Sequence, residues 1–198
     1  SLEGDMEGAR VARYFLYRNR KKRPVRRANL KPILDLEKKS RSQKGQDPVQ
    51  RAKRLLENSV GLTIEESQKE DGKGSGTFYL IRQEEISDGI PLPFTDEECS
   101  EYGLLTLVFL IIHLKGGKVE LDQLKQALEN QGIPGDSLTI SKWPEDPQEW
   151  ARRDYITLKK VDKDGETCIE VTFGPRFHLE FGEELLSSLE TELVKEVE

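Results

Sequence analysis

The sequence predicts a mainly α-helical chain with small β wings, built as two helix-helix-helix-hairpin units and an added C-terminal helix. Three observations support this fold class. Apolar residues recur at helical spacing in separate segments, pairs of β-prone segments follow the helices, and the same order occurs twice within 198 residues. Because three helices closed by a two-stranded wing form the winged-helix version of the helix-turn-helix, we expect a tandem winged-helix protein.

The first unit opens with two short helices. The first is indicated by apolar residues at i, i+3 and i+4, namely Val11, Tyr14 and Phe15. The second is indicated by Leu30, Ile33 and Leu34. Pro24 separates them, and Pro32 is tolerable only in the first turn of the second helix, which places its cap near Asn29.

The third helix of this unit carries both a start signal and a stop signal. Asp47 is the predicted N-cap, Pro48 the first helical residue, and Gln50 the reciprocal capping partner. Gly61 is the predicted stop, and the inward-facing positions are Ala52, Leu55 and Leu56. A hairpin follows, with β-prone residues 62–65 and 77–81 around the turn-rich loop 69–76.

The second unit repeats this order. An apolar helix over 104–114 ends at Gly116-Gly117, and a second helix ends at Gly132 and Pro134, with its apolar face formed by Leu121, Leu124, Ala127 and Leu128. Asp146-Pro147 starts a short third helix that runs through Trp150.

A second hairpin closes this unit. Strands over 155–161 and 167–173 flank the hairpin turn 162–165 (DKDG). The last helix is built on Leu185, Leu186, Leu189 and Leu193. We therefore predict winged-helix domains at 8–84 and 102–198, joined by a linker at 85–101 that is rich in proline and acidic residues.

Charge is sorted along the chain, although the net charge is only −6. Between Arg10 and Arg54 there are 17 Lys and Arg against three Asp and Glu, whereas residues 55–198 carry 14 bases and 31 acids. The window 18–27 (RNRKKRPVRR) alone holds seven bases. This asymmetry indicates that one end of the chain binds a polyanion and the other end binds a different partner. The alternative is that the basic residues form only a solvated face.

Residue composition argues against several other classes of protein. Two cysteines, Cys99 and Cys168, and two histidines, His113 and His178, are too few and too scattered for a metal site, so no metal or cofactor is expected. The longest apolar run, 104–114, is about half a bilayer span, and we expect an intracellular protein. No nucleophile-base or differentiated carboxylate pair stands out, which predicts a protein that is not an enzyme.

Three stretches resemble the MAGE homology domain, which is itself a tandem winged-helix unit. They are residues 14–17 (YFLY) with 21–28 (KKRPVRRA), residues 103–116, and residues 173–176 (FGPR), close to the family's Trp-Gly-Pro-Arg. Within the family, this sequence, with its strong basic bias, is most similar to the MAGE-type subunit of the SMC complex that is built on SMC subunits five and six.

This resemblance implies a nuclear, non-enzymatic scaffold for chromosome maintenance, DNA repair and recombination. Such a subunit binds a RING-type ubiquitin-ligase partner and a kleisin and contacts duplex DNA. The family's paired leucines at the RING contact fall on Phe15 and Leu16. The alternative is that Phe15 and Leu16 are core residues of the first helix. Because adjacent helical residues point about 100° apart, at most one of the two can be centred on the core face.

The kleisin site is predicted on the apolar surface near the C-terminus. Its candidate residues are Phe177, Leu179, Phe181, Leu185, Leu186 and Leu189. More apolar surface lies there than one small domain can cover, so a partner helix is expected to dock.

Two surfaces are candidates for duplex DNA. The preferred one, on the second winged helix, comprises Arg152, Arg153, Lys159, Lys160 and Lys163. The secondary basic patch comprises Arg20, Lys21, Lys22, Arg23, Arg26 and Arg27. Contacts to phosphate would give affinity without sequence specificity. A sequence-specific transcription regulator and a module that binds an acidic protein remain alternatives.

Overall fold

The computed structural model describes residues 2–35, 47–68, 74–83, 95–133, 147–163 and 165–197. The chain forms two compact units, residues 1–93 and 94–198, each with its own hydrophobic core. Each unit contains helices and a three-stranded antiparallel sheet, so the predicted tandem winged-helix class is confirmed. The predicted domains 8–84 and 102–198 fall within these units.

The first unit is ordered α1 (Leu2–Asn19), β1 (Val25–Arg26), α2 (Arg27–Asp35), α3 (Pro48–Val60), β2 (Leu62–Gln68) and β3 (Gly74–Arg82). The central strand of its sheet is β3, flanked by β1 and β2. Val25 of β1 pairs with Phe78 of β3, and both side chains are buried. The helices cover this sheet with Val11, Phe15, Leu30 and Leu56.

Helix α3 starts after Asp47 and ends before Gly61, as the sequence predicts. The Val49 N–H donates to the Asp47 carboxylate at 3.1 Å, and the Gly61 N–H donates to the Leu56 carbonyl. Gly61 has φ 65°, a left-handed conformation that suits glycine at a helix end. The predicted inward position of Leu55 is wrong: its side chain is 40% exposed, and Val49 is buried in its place.

Two further features of this unit differ from the expectation. Helix α2 begins at Arg27, so Pro32 lies inside it, beyond the first turn, and the cap near Asn29 is wrong. Instead, the Asn29 side chain accepts the Arg26 N–H at 3.1 Å. Strand β1 was not anticipated because two residues become a strand only through pairing with β3.

The second unit is ordered α4 (Asp96–Leu114), β4 (Lys118–Glu120), α5 (Leu121–Asn130), α6 (Pro147–Arg152), β5 (Ile156–Lys163), β6 (Glu166–Phe173), α7 (Pro175–Glu180) and α8 (Gly182–Val197). The sheet order is β4-β6-β5. Lys163 pairs with Glu166, which leaves a two-residue hairpin turn, and Gly165 in it has φ 88°.

Several boundaries in this unit move. Residues 96–101, assigned to the linker by composition, form the first turns of α4. The third helix continues two residues beyond Trp150 to Arg152, and β4 and α7 were not anticipated. Asp146, Pro134 and linker residues 85–94 lie outside the described part of the chain.

The FGPR stretch, residues 173–176, joins the wing to α7. Gly174 lies so close to the backbone of Asp154 that an added Cβ would be 2.2 Å from the Asp154 carbonyl oxygen. Pro175 is the first residue of α7, where its missing N–H costs nothing. Arg176 is buried beneath it and its backbone N–H donates to the Asp154 carbonyl at 3.0 Å.

Arg176 belongs to a buried polar network. Its Nε donates to Glu180 at 2.6 Å, and both side chains are less than 10% exposed. The Tyr155 hydroxyl donates to the same carboxylate at 2.9 Å and the Tyr102 hydroxyl at 3.4 Å. Burial and the neighbouring Glu180 charge raise the pKa of Tyr102 to about 12 and that of Tyr155 well above 10. The FGPR stretch thus has a structural role in the second unit, where Arg176 and its buried partners connect α7 to α4 and to Tyr155 before β5.

Candidate interaction surfaces

The Phe15-Leu16 pair is split by the rotation of α1. Phe15 is 1% exposed and makes an edge contact with Phe78, with the ring centroids 6.3 Å apart. It is therefore a core residue and is not available to anchor a partner in this conformation. Leu16 is 40% exposed and Tyr17 is 68% exposed. The apolar surface on this helix therefore comprises Leu16 and Tyr17. Sequence reasoning did not select Tyr17, because its exposure depends on how α1 packs.

The candidate residues near the C-terminus divide in the same way. Phe177 and Leu186 are fully buried in the second unit, where Phe177 stacks on Phe173 at 4.2 Å. Leu185 is 40% exposed, and three residues are half-buried: Leu179, Phe181 and Leu189. Any partner at this surface would therefore meet Leu185 first.

The cations of the preferred DNA surface, at the end of α6 and on the wing of the second unit, are mostly engaged with acidic residues. Arg153 pairs with Glu101 and, at 3.4 Å, with Glu149. Arg152 lies 3.5 Å from Glu149.

Lys163 at the end of β5 pairs with Glu120 at 2.6 Å, a hydrogen bond that raises the lysine pKa. Lys159 and Lys160 are exposed and have no ion pair with a described residue.

The basic patch of the first unit is less neutralised. Arg20, Lys21 and Arg26 are exposed and form no ion pair with any residue that the structure describes. Arg27 lies 3.8 Å from Asp47 and 5.2 Å above the Phe78 ring, and Lys22 and Arg23 are half-buried.

Other classes of site receive no support from the described residues. Within that part of the chain, no group of three or more His, Cys, Asp or Glu could hold a metal ion. None of the helices in the described residues is long and apolar enough to cross a membrane. His113 lies 3.1 Å from Glu190 of α8, and His178 is exposed on α7.

The model of the MAGE homology domain matches residues 11–184. The chain belongs to the MAGE homology domain family. Among solved structures, a chain of an Nse1-Nse3-Nse4 complex is similar to this MAGE-family chain, with a TM-score of 0.78 and 18% sequence identity. The alignment covers 98% of this chain and 92% of that chain. Among curated proteins, no sequence matches. At 18% identity the structural likeness shows a shared fold.

Proposed function

We propose that this chain is the MAGE-type scaffold subunit of an SMC-type chromosome complex, the one built on SMC subunits five and six. It acts in the nucleus, in DNA repair and recombination, and has no catalytic role of its own. It binds a RING ubiquitin-ligase subunit, as a cofactor of that ligase, and a kleisin, and it contacts duplex DNA without sequence specificity. The observation that carries the proposal is the likeness to the Nse1-Nse3-Nse4 chain over 98% of this MAGE-family chain.

The RING contact is proposed on the exposed part of α1. Leu16 offers an apolar side chain that is 40% exposed, beside Tyr17. Tyrosine and other amphipathic aromatics are frequent anchors at protein interfaces because they bury a large area at low entropic cost. Phe15 supports this surface from the core and sets the rotation of the helix.

Leu16→Glu tests this contact and has a matched control. Leu55 has the same 40% exposure in the same unit but lies on α3. We expect Leu16→Glu to weaken capture of the RING subunit about 30-fold or more, as for loss of an anchor worth about 2 kcal/mol. Leu55→Glu should leave capture unchanged. Equal effects of the two substitutions would contradict this placement.

The kleisin contact is proposed on the exposed face near α7 and α8. Leu185 is the most exposed of its candidate residues, with Leu179, Phe181 and Leu189 half-buried beside it in the sequence. Leu185→Glu should abolish kleisin capture without unfolding the unit, because this side chain is not in the core. Leu114→Glu, at a 58% exposed leucine of α4, is the control. Kleisin capture retained by the Leu185 variant would contradict the site.

Reconstitution tests the function as a whole. The full chain would be co-expressed with RING and kleisin subunits from the same organism and analysed by size-exclusion chromatography with mass determination. We expect one stable three-subunit complex. The absence of any complex, with the chain itself folded, would refute the proposed function.

A further inference from the structure

We propose that duplex DNA is contacted mainly by the first unit, through exposed cations of the segment 10–34, and only weakly by the second unit. This inference rests on the proposed function, because it takes duplex DNA to be a ligand of the chain. The sequence instead favours the surface on the second winged helix.

The charge of the two structural units differs in sign. Residues 1–93 carry 20 Lys and Arg against 14 Asp and Glu, a net charge of +6. Residues 94–198 carry 11 bases against 23 acids, a net charge of −12. A polyanion is therefore attracted by the field of the first unit and repelled by that of the second.

Within the first unit, the positive charge is concentrated in one acid-free segment. Residues 10–34 contain ten Lys and Arg and no Asp or Glu. Surfaces that serve only solubility usually intersperse both signs of charge. A segment with ten basic residues and no acidic residue, folded into the consecutive elements α1, β1 and α2, therefore favours a binding surface over a surface that is only solvated.

The cations of this segment are also accessible. Five are exposed and have no acidic partner among the residues that the structure describes: Arg13, Arg20, Lys21, Arg26 and Lys31. Among the five described cations of the candidate surface on the second unit, only Lys159 and Lys160 are in that state, because Arg152, Arg153 and Lys163 already lie beside carboxylates. A cation that is already paired with a carboxylate must break that ion pair to bind a phosphate, so its phosphate contact contributes less to the free energy of binding.

The backbone that carries these cations is held in place. Arg13 lies on α1, and Arg20 follows directly after its last residue, seven positions later. Seven residues are about two helical turns, so the two residues lie on the same side of the helix, about 10 Å apart. The turn after α1 is closed by hydrogen bonds from the Lys21 and Arg23 N–H groups to the Arg18 carbonyl. Val25 is then buried against the sheet, which fixes Arg26 at its exposed edge. Preorganised cations lose less entropy on binding.

The third helix of this unit argues for phosphate contact without base readout. In a winged helix the third helix is the usual reader of the major groove. Here Arg51 of α3 pairs with Glu7, and Lys53 pairs with Glu65 at 2.6 Å. Single strands are disfavoured because they need several stacking aromatics, and Tyr17 is the one aromatic among the large exposed apolar residues described.

Two matched triple variants of the full chain test this inference. The first-unit variant is Arg20→Ala, Lys21→Ala and Arg26→Ala, and the second-unit variant is Arg152→Ala, Lys159→Ala and Lys160→Ala. Binding to a labelled random-sequence duplex of about 30 base pairs would be followed by fluorescence anisotropy between 50 and 200 mM salt. Circular dichroism would verify that both variants are folded, and poly-glutamate would serve as a second, protein-like polyanion.

We expect the first-unit variant to lose about two to three units of log-log salt slope, since each phosphate contact contributes about 0.9. At 0.1 M salt one contact corresponds to about eightfold in affinity, so three correspond to as much as about 500-fold. The second-unit variant should lose less than about tenfold.

Each other outcome overturns a different statement. A larger loss in the second-unit variant would overturn this inference and leave the proposed function standing. Tighter binding of poly-glutamate than of the duplex, lost in the first-unit variant, would replace DNA by an acidic protein. No duplex binding by the wild-type chain at 50 mM salt would refute the DNA part of the proposed function itself.

Discussion

The buried pair Arg176 and Glu180 gives a sharp prediction about the stability of the second unit. The two side chains are 3% and 7% exposed and 2.6 Å apart. Removing one partner of a buried ion pair leaves an uncompensated charge and costs about 3–5 kcal/mol. We therefore expect Arg176→Met and Glu180→Leu each to lower the free energy of unfolding by about that amount.

The double variant should be far more stable than the sum of the single effects. It removes both charges at once, and apolar replacement of a whole buried pair is often close to neutral. In the double variant the Tyr155 hydroxyl loses its acceptor, which costs about 1–3 kcal/mol. We expect the free energy of unfolding of the double variant to lie below that of the wild type by about this amount. The coupling energy of this cycle should accordingly be several kcal/mol.

Urea unfolding followed by tryptophan fluorescence measures this cycle in the right unit. Both tryptophans of the chain, Trp143 and Trp150, belong to residues 94–198, and Trp150 is buried in the core. The control pair is Lys163 and Glu120, which has the same 2.6 Å separation but whose side chains are 55% and 31% exposed, so its removal should barely move the midpoint. Single variants within about 1 kcal/mol of wild type, or a double variant as unstable as the summed singles, would refute the reasoning.

Three further predictions concern stability. Gly174→Ala should cost at least about 1–3 kcal/mol in urea unfolding, because its Cβ would overlap the Asp154 backbone, and an unchanged midpoint would contradict that close approach. The pKa of Tyr102 rises from 10.0 to about 12 on folding. The contribution of its protonated hydroxyl to the free energy of unfolding is therefore fully present below pH 10 and is lost as the pH rises towards 12. The fall in urea midpoint over that range should be shallower in Tyr102→Phe, and identical slopes would argue against burial of this hydroxyl. Asp47→Ala removes the acceptor of the Val49 N–H and should cost about 0.5–2 kcal/mol by circular dichroism, whereas Asp47→Asn should cost clearly less.

The elements predicted well from the sequence are those whose signals are local. The start and end of α3 depend on Asp47 and Gly61, each of which acts on the backbone within a few residues. Strand β1 depends on pairing with β3 about 50 residues later, and nothing in Val25-Arg26 alone announces that pairing. The interior position of Pro32 is likewise set by where α2 packs, since a short helix can lose one backbone hydrogen bond when Leu30 is buried.

The candidate sites were predicted only in part for the same physical reason. Helical spacing established that Phe15 and Leu16 cannot both face the core, but packing against Phe78 decided which of them is exposed. Counting charges identified the basic segments but could not identify neutralised cations. Arg153 meets Glu101, 52 residues earlier in the chain, and only the folded structure brings them together.

The opposite net charges of the two units, +6 and −12, have a kinetic consequence. Charges act over about one Debye length, roughly 10 Å at 0.1 M salt, so a duplex close to either unit senses mainly the charge of that unit. If the chain binds duplex DNA as proposed, encounters with the first unit would be accelerated and encounters with the second would be slowed. The acidic unit would then reject nucleic acid during the search, which would leave its apolar surface open to the proposed protein partner even when DNA is abundant.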